Sequence, residues 1–421
     1  MTAGQQIGAG VGDNHAVQPQ RLRPARLVAL LAALAFVSLG LPDGLLGVAW
    51  PSMRTFFRVD LEALGALLVA TTAGYVAASF SSGRLLRRLN LGTVLAASCL
   101  LTAAGLLGYA AASSWPIVLA LGAVLGLGAG AVDAALNTYV ATHHGARMLN
   151  WLHACFGVGA AAGPLIMTAV FQRGAGWQQG YVIVGAAQIA LGACFVATFR
   201  HWPRSDGLPS AAAEDSTATM AATLRVPAAW LGMAVFIAYA GVEASIGAWT
   251  FTLLTEARLL PAVEAGILAS LYWGGITGGR LLAAAAGGVV PVHLQLRGAV
   301  WSVALGVALV WVDAGSHFTA AGLVVAGLAC GPIFPLLVAT TPGRVGVSHS
   351  ANAVGFQIAA SALGLSVVPG AVGIAAARYG VETIGTMLLV LASLLVAIYP
   401  ILERSGLQPA SAPNSSSIHG A

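Results

Sequence analysis

LVALLAALAFVSLGLPDGLLGVAW, residues 27 to 50, is an apolar run of 24 residues with a single acid inside it. A helix needs about 20 apolar residues to cross the hydrocarbon core of a bilayer, so this stretch is long enough to span. Eleven further runs follow, near 63 to 82, 91 to 112, 116 to 140, 149 to 172, 178 to 200, 227 to 254, 262 to 286, 296 to 313, 317 to 341, 350 to 377 and 381 to 402. The pattern predicts an all-α polytopic membrane protein of twelve transmembrane helices in two six-helix pseudo-repeats. Residues 1–26 form an N-terminal tail, 27–200 the first half, 227–402 the second half, and 403–421 a tail expected to be disordered. The longest connection, HWPRSDGLPSAAAEDSTATMAATLRV at 201–226, reads as the linker between halves.

Composition agrees with a bilayer environment. Of 421 residues, 58% are hydrophobic and only 8% charged, against about 25% charged in a soluble domain. The formal charge of +5 is small for this length, so a polyanion-binding surface is not indicated and nucleic acid is not an expected partner. The four cysteines (Cys99, Cys155, Cys194, Cys330) fall inside apolar runs without CxxC spacing, and read as packing residues rather than metal or redox ligands. Neither a cofactor nor catalysis is expected. The first run follows a polar tail and is long enough to span, so it reads as a true helix and not a cleaved signal.

Arginine supplies all 19 basic side chains, and Lys and Arg favour cytoplasmic loops. With the N-terminus inside, 14 arginines fall on inner segments and five (Arg54, Arg58, Arg173, Arg258, Arg378) on outer ones. Both termini and the linker are therefore expected in the cytoplasm. Trp50, Trp115, Trp151, Trp177 and Trp230 stand at span ends, where indole anchors at the interface.

The halves echo one another. Phe36, Asp43 and Gly47 in span 1 recur as Phe236, Glu243 and Gly247 in span 7, at an offset of 200. GRLL at the inner end of span 2 (Gly83 to Leu86) recurs in span 8 (Gly279 to Leu282), at an offset of 196. Parallel repeats of this kind build secondary transporters, with the substrate cavity between the halves.

A charge at the centre of a span costs about 2.5 to 3.5 kcal/mol on insertion scales, so a retained acid normally faces a cavity or a partner. Asp43, flanked by Pro42 and Gly44, is expected to face the central cavity beside a locally irregular helix. In span 4, Gly122, Gly126 and Gly130 form a ridge for close helix packing, and Asp133 and Asn137 point the same way one turn apart. Glu243 in span 7 has the standing of Asp43. His153 sits near the inner end of span 5 as a proton carrier or a structural donor. Tyr272 and Trp273 offer an aromatic face for a sugar ring or for packing, Arg280 reads as a snorkelling end residue, and Gln357 is a polar group for substrate.

The sequence resembles the major facilitator superfamily, and within it the fucose permease (proton-coupled sugar symporter) branch. The resemblance is carried by DGLLGVAWPSM, DAALNTYVATHHGARMLNWLHACFGVGAAAGPL, GVEASIGAW, YWGGITGGR, GPIFPLLVATTP and GFQIAASALG. It implies the major facilitator fold, with proton coupling and sugar recognition by acids in the first and fourth helices, here Asp43 and Asp133. The branch's fourth-helix acid is a glutamate, one methylene longer. The superfamily's GxxxDRxGRR signature survives only as GRLLRRLNLG, where Gly83 and Arg88 match and Arg87 replaces the aspartate. GVGAAAGP in span 5 also resembles an antiporter motif.

The reading that results is a secondary active transporter for proton-coupled uptake of a small polar solute such as a sugar, by alternating access. The rivals are a proton-antiport exporter of drugs or metabolites and a transport-inactive membrane sensor. Asp43, Asp133 and Glu243 are the proton-coupling candidates; Asn137, Gln357, Trp273 and Tyr272 the substrate-binding ones; His153, Arg84, Arg88 and Arg280 the gate. A monomer in a bacterial cytoplasmic (inner) membrane is expected, with lipid, protons and a small solute as its partners.

Overall fold

The computed structural model describes residues 22–143, 146–202 and 218–405. Most of the expected N-terminal tail, residues 203–217 of the linker and the tail beyond 405 lie outside the described residues. Twelve long helices make up nearly all the rest: α1 (Leu22–Phe57), α2 (Ala63–Arg88), α3 (Leu91–Ala111), α4 (Trp115–His143), α5 (Ala146–Gln172), α6 (Trp177–Ala197), α7 (Pro227–Thr252), α8 (Ala262–Ala286), α9 (Val292–Val312), α10 (Ser316–Val345), α11 (Val347–Tyr379) and α12 (Thr383–Ser405). Eleven of them are long and apolar enough to cross a membrane. In α8 the apolar run is interrupted by Tyr272, Trp273, two glycine pairs and Arg280. Short connections make successive helices antiparallel, so an even number of crossings returns the chain to the face where it began. That face, holding Leu22 and Ser405, is here the terminal face.

Helix α1 outruns its expected bounds and passes through Pro42 and Pro51 without a break. The expected irregularity is absent because the lost bond has a substitute. Proline at 42 cannot donate to the carbonyl of Ser38, and Gln188 Nε2 of α6 donates to that oxygen at 3.2 Å instead. The same solution appears in α10, where Pro335 frees the Gly331 carbonyl and Arg280 Nε donates to it at 3.3 Å. A proline inside a lipid-buried helix is tolerated when a neighbouring helix supplies the missing donor.

The two halves pack by one scheme. In the first, α1 packs on α5 and α6, α2 on α4, and α3 on α4 and α6; in the second, α7 packs on α11 and α12, α8 on α10, and α9 on α10 and α12. Glycine makes these approaches close. A Cβ on Gly130 of α4 would stand 2.3 Å from the Tyr75 carbonyl oxygen of α2, and a Cβ on Gly327 of α10 would stand 2.3 Å from the Tyr272 oxygen of α8. Both pairs are related by 197 residues, which sets the contact register of the repeat. The matching GRLL letters, offset by 196, are therefore one residue out of step, and Arg280 corresponds to Gly83 rather than to Arg84.

Between the halves α5 packs on α8, α2 on α11 and α1 on α7. The α1 and α2 contacts lie toward the face opposite the termini: Gly47 meets the Gly247 carbonyl, and Gly65 meets Gly370. Among the described residues, α5 and α8 touch along their length, from Thr168 against Gly266 to His153 against Arg280. At the terminal face the ends of α2 and α4 are exposed. The space between the halves is thus closed at the opposite face and open at the terminal one.

The tryptophans divide differently from their sequence positions. Trp151 and Trp230 are half exposed, as anchors should be. Trp50 and Trp177 are buried, in an aromatic cluster with Trp115, Phe56, Phe57 and Tyr181 that fills the opposite-face end of the first half. A span end inside a bundle meets other helices, not headgroups.

Candidate functional site

Asp43 lies just past the middle of α1 and is exposed, although its neighbours Gly44 and Leu45 are buried. Gly44 faces α5, where a Cβ would stand 2.1 Å from the Ala160 carbonyl oxygen. That contact turns Asp43 into the space between the halves. Among the described residues its carboxylate makes no hydrogen bond or ion pair. It is within electrostatic reach of Glu243 across that space and of Tyr75 on α2.

Asp133 is partly buried on α4 and accepts a hydrogen bond from the Tyr75 hydroxyl at 2.5 Å. The α2–α4 glycine contact places the tyrosine there, because the backbones approach at Gly126 and Gly130, respectively two turns and one turn before Asp133. Asn137 stands one turn further on, beside the same carboxylate. Its Oδ1 is buried without a hydrogen-bond partner, and buried polar atoms left unpaired are few in folded proteins.

Glu243 on α7 accepts a hydrogen bond from the Tyr239 hydroxyl one turn before it, and that hydroxyl also lies 3.0 Å from the Cys330 carbonyl of α10. Arg280 of α8 is within electrostatic reach of Glu243. It does not snorkel. Its Nε holds Gly331 O, and its Nη1 donates across the interface to the His153 carbonyl at 3.4 Å. The His153 ring packs edge-on against Phe36, with centroids 5.4 Å apart. His153 and Arg280 thus join α5 to α8 near the terminal face, while Arg84 and Arg88 are exposed at the end of α2.

Three expected binding residues are packed away in this conformation. Tyr272 is fully buried and donates to the Glu243 carbonyl oxygen at 2.9 Å, and Trp273, 8% exposed, lays its ring on Gly247. Gln357 is 2% exposed and accepts from the Thr341 hydroxyl at 2.9 Å. Each belongs to a helix whose inward face could not be told from its letters. Conversely, Tyr75 and Tyr239 were not anticipated, although the four-residue step from Tyr239 to Glu243 is a readable helical pairing.

A second missed feature closes the opposite face. Arg54 of α1 pairs with Glu256 at 2.6 Å, the two side chains 29% and 24% exposed. Glu256 lies in the π-helical turn Leu253–Ala257 that continues α7. The pair joins the two halves on the far side of the acids from the opening.

A bundle of two like-packed helical halves, with carboxylates gathered between them, is the architecture of a polytopic membrane transporter and not of an enzyme. The Major Facilitator Superfamily profile matches residues 31–289, and the chain belongs to that family. A curated relative, "Bypass of stop codon protein 6" of Saccharomyces cerevisiae, is 25% identical over 279 residues, covering 61% of this chain. The chain spans 56% of that relative's length. Among solved structures, a bacterial homologue of the human lysosomal transporter Spinster, inward-facing and unoccupied, superposes with a TM-score of 0.71 at 16% identity, covering 94% of this chain and 100% of that one. A variant of the nucleoside transporter NupG gives a TM-score of 0.68 at 15% identity, with coverage of 90% and 99%. At these identities the likeness is one of fold.

Proposed function

We propose that this protein is a secondary active transporter that couples proton movement to the uptake of a small polar solute, such as a sugar, by alternating access. The observation that carries this reading is the gathering of Asp43, Asp133 and Glu243, from both halves, around one space open to the terminal face. An exposed acid and two acids capped by tyrosine hydroxyls suit proton uptake and release, because each partner can follow the change of charge. Solute binding falls to Asn137, whose Oδ1 lacks a partner, with Trp273, Tyr272 and Gln357 reaching the site only if the helices repack. His153 and Arg280 gate the terminal side with Arg84 and Arg88, and Arg54 and Glu256 gate the other.

In this reading the halves are residues 27–200 and 227–402, joined by the linker 201–226. The terminal face is cytoplasmic, the membrane is the bacterial inner membrane and the protein works as a monomer. The conformation is then inward-facing, the state named for the Spinster homologue. Export by antiport is the second reading, and GVGAAAGP is its support: Gly159 and Gly163 of that stretch set α5 directly on α1.

The test is transport in proteoliposomes, using labelled sugars and nucleosides with and without an imposed pH gradient. Accumulation driven by inward proton flow supports symport. Accumulation against outward proton flow supports antiport, and indifference to the gradient for every transported solute removes proton coupling.

A further inference from the structure

Away from the central space, α9, α10 and α12 line a half-open cavity of about 750 Å³ at the terminal face. Each helix contributes one arginine to its wall: Arg297, Arg344 and Arg404. Glu403 is the one acid there, and it is taken by Arg297, whose Nη2 lies 2.9 Å from its carboxylate. Arg344 and Arg404 enter no ion pair among the described residues. Arg344 Nη1 is buried without a hydrogen-bond partner, and so is the hydroxyl of Tyr399, a residue only 2% exposed.

Buried donors without acceptors, in a wall where three arginines face one acid, call for an anion with several oxygens. Arginine matches phosphate with paired, charge-assisted hydrogen bonds. The cavity's apolar wall points to where that phosphate comes from. Trp301 lines it and is 58% exposed, and one turn along α9 Leu305 is 57% exposed. The pocket, with its arginines set in a mostly apolar wall, therefore continues into the surface that faces acyl chains. Basic pockets between helices at the membrane surface are suited to phospholipid headgroups.

We propose that this cavity binds the phosphate of an anionic phospholipid, held by Arg344, Arg404 and Tyr399, with its acyl chains along Trp301 on the outer face of α9. The site lies outside the transport pathway and does not rest on the proposed substrate or coupling.

The full chain, purified and delipidated in a neutral detergent, tests this by its unfolding temperature on titration with phosphatidylglycerol, phosphatidylcholine or inorganic phosphate. A ligand bound only by the folded state raises that temperature. Phosphatidylglycerol is expected to stabilise and phosphatidylcholine not to. Arg344→Gln and Arg404→Gln should each raise the half-saturating phosphatidylglycerol concentration about tenfold, as loss of one charged hydrogen bond implies. Glu403→Gln, which removes the acid and frees Arg297, should lower it. If Arg344→Gln does not fold, the exposed Arg404 and the opposite sign at Glu403 carry the test. Equal stabilisation by inorganic phosphate would assign the site to a soluble anion and overturn the lipid. A phosphatidylglycerol response unchanged in all three variants would overturn the site itself.

Discussion

The Tyr75 hydroxyl donates to Asp133 at 2.5 Å, whereas 197 positions later the Tyr272 hydroxyl donates to the Glu243 carbonyl oxygen at 2.9 Å and lies 4.0 Å from the Cys330 sulfur. One repeat position, on the fourth helix of each half near a tyrosine on the second, thus carries a carboxylate in one half and a thiol in the other. Only the first half has a carboxylate at this position. The second half instead sets its acid on α7, as Glu243 beside Tyr239.

Asp43→Asn and Asp133→Asn should each abolish gradient-driven accumulation while leaving the protein inserted, because an amide fills the space and cannot exchange a proton. Exchange down a substrate gradient should survive. Tyr75→Phe, which keeps the acid and removes one hydrogen bond to it, should retain accumulation at a rate lowered roughly tenfold. Proteoliposome uptake measures all three, and full accumulation by both asparagine variants would remove these acids from the mechanism.

Access to the acid is testable by thiol labelling. In a background without the four native cysteines, Asp43→Cys should react with an impermeant thiol reagent supplied at the terminal face, and reactivity should fall when a transported solute is present. Leu45→Cys, at a position with 0% exposure, should stay protected. Equal labelling at 43 and 45 would mean that the helix is not oriented as described.

The Arg54–Glu256 pair should hold the opposite face shut. Partly exposed pairs contribute up to about 1 kcal/mol, so Arg54→Gln should raise labelling of a cysteine at 43 from the opposite face by about fivefold. Exchanging the two residues should restore protection. Labelling that ignores both changes would show that the glycine contacts alone close this side.

Gly130→Ala and Gly327→Ala should each lower stability by about 1–3 kcal/mol, since a Cβ set against a backbone carbonyl forces helix α4 from α2, or α10 from α8. Thermal unfolding in detergent reads this directly. Midpoints equal to that of the unmodified protein would contradict the close approach at those positions.

Orientation has its own check. Reporters fused near Ser210 and after Arg404 should both report the cytoplasm if the arginine distribution reads topology correctly. An external signal from either would sink the twelve-span, six-plus-six arrangement.

The helices were legible in the letters because lipid imposes a length and a composition, and each run that spans must satisfy both within itself. The same economy exposed the acids, since a carboxylate in an apolar run is conspicuous whatever surrounds it. Which way a side chain points is another matter. Span 8 presents Tyr272, Trp273 and Arg280 with equal prominence, and only the packing of α8 on α5, α7 and α10 shows the first two buried and the third bridging two helices. Pro42 suggested a broken helix, yet a donor 146 residues later in the chain, Gln188, keeps it whole. Arg54 and Glu256 look like ordinary loop charges until the halves close and bring them to 2.6 Å. Periodicity and composition are local, and so the spans and their charged interruptions could be read from the chain alone. Partners come from residues distant in sequence and were decided only when the two halves packed.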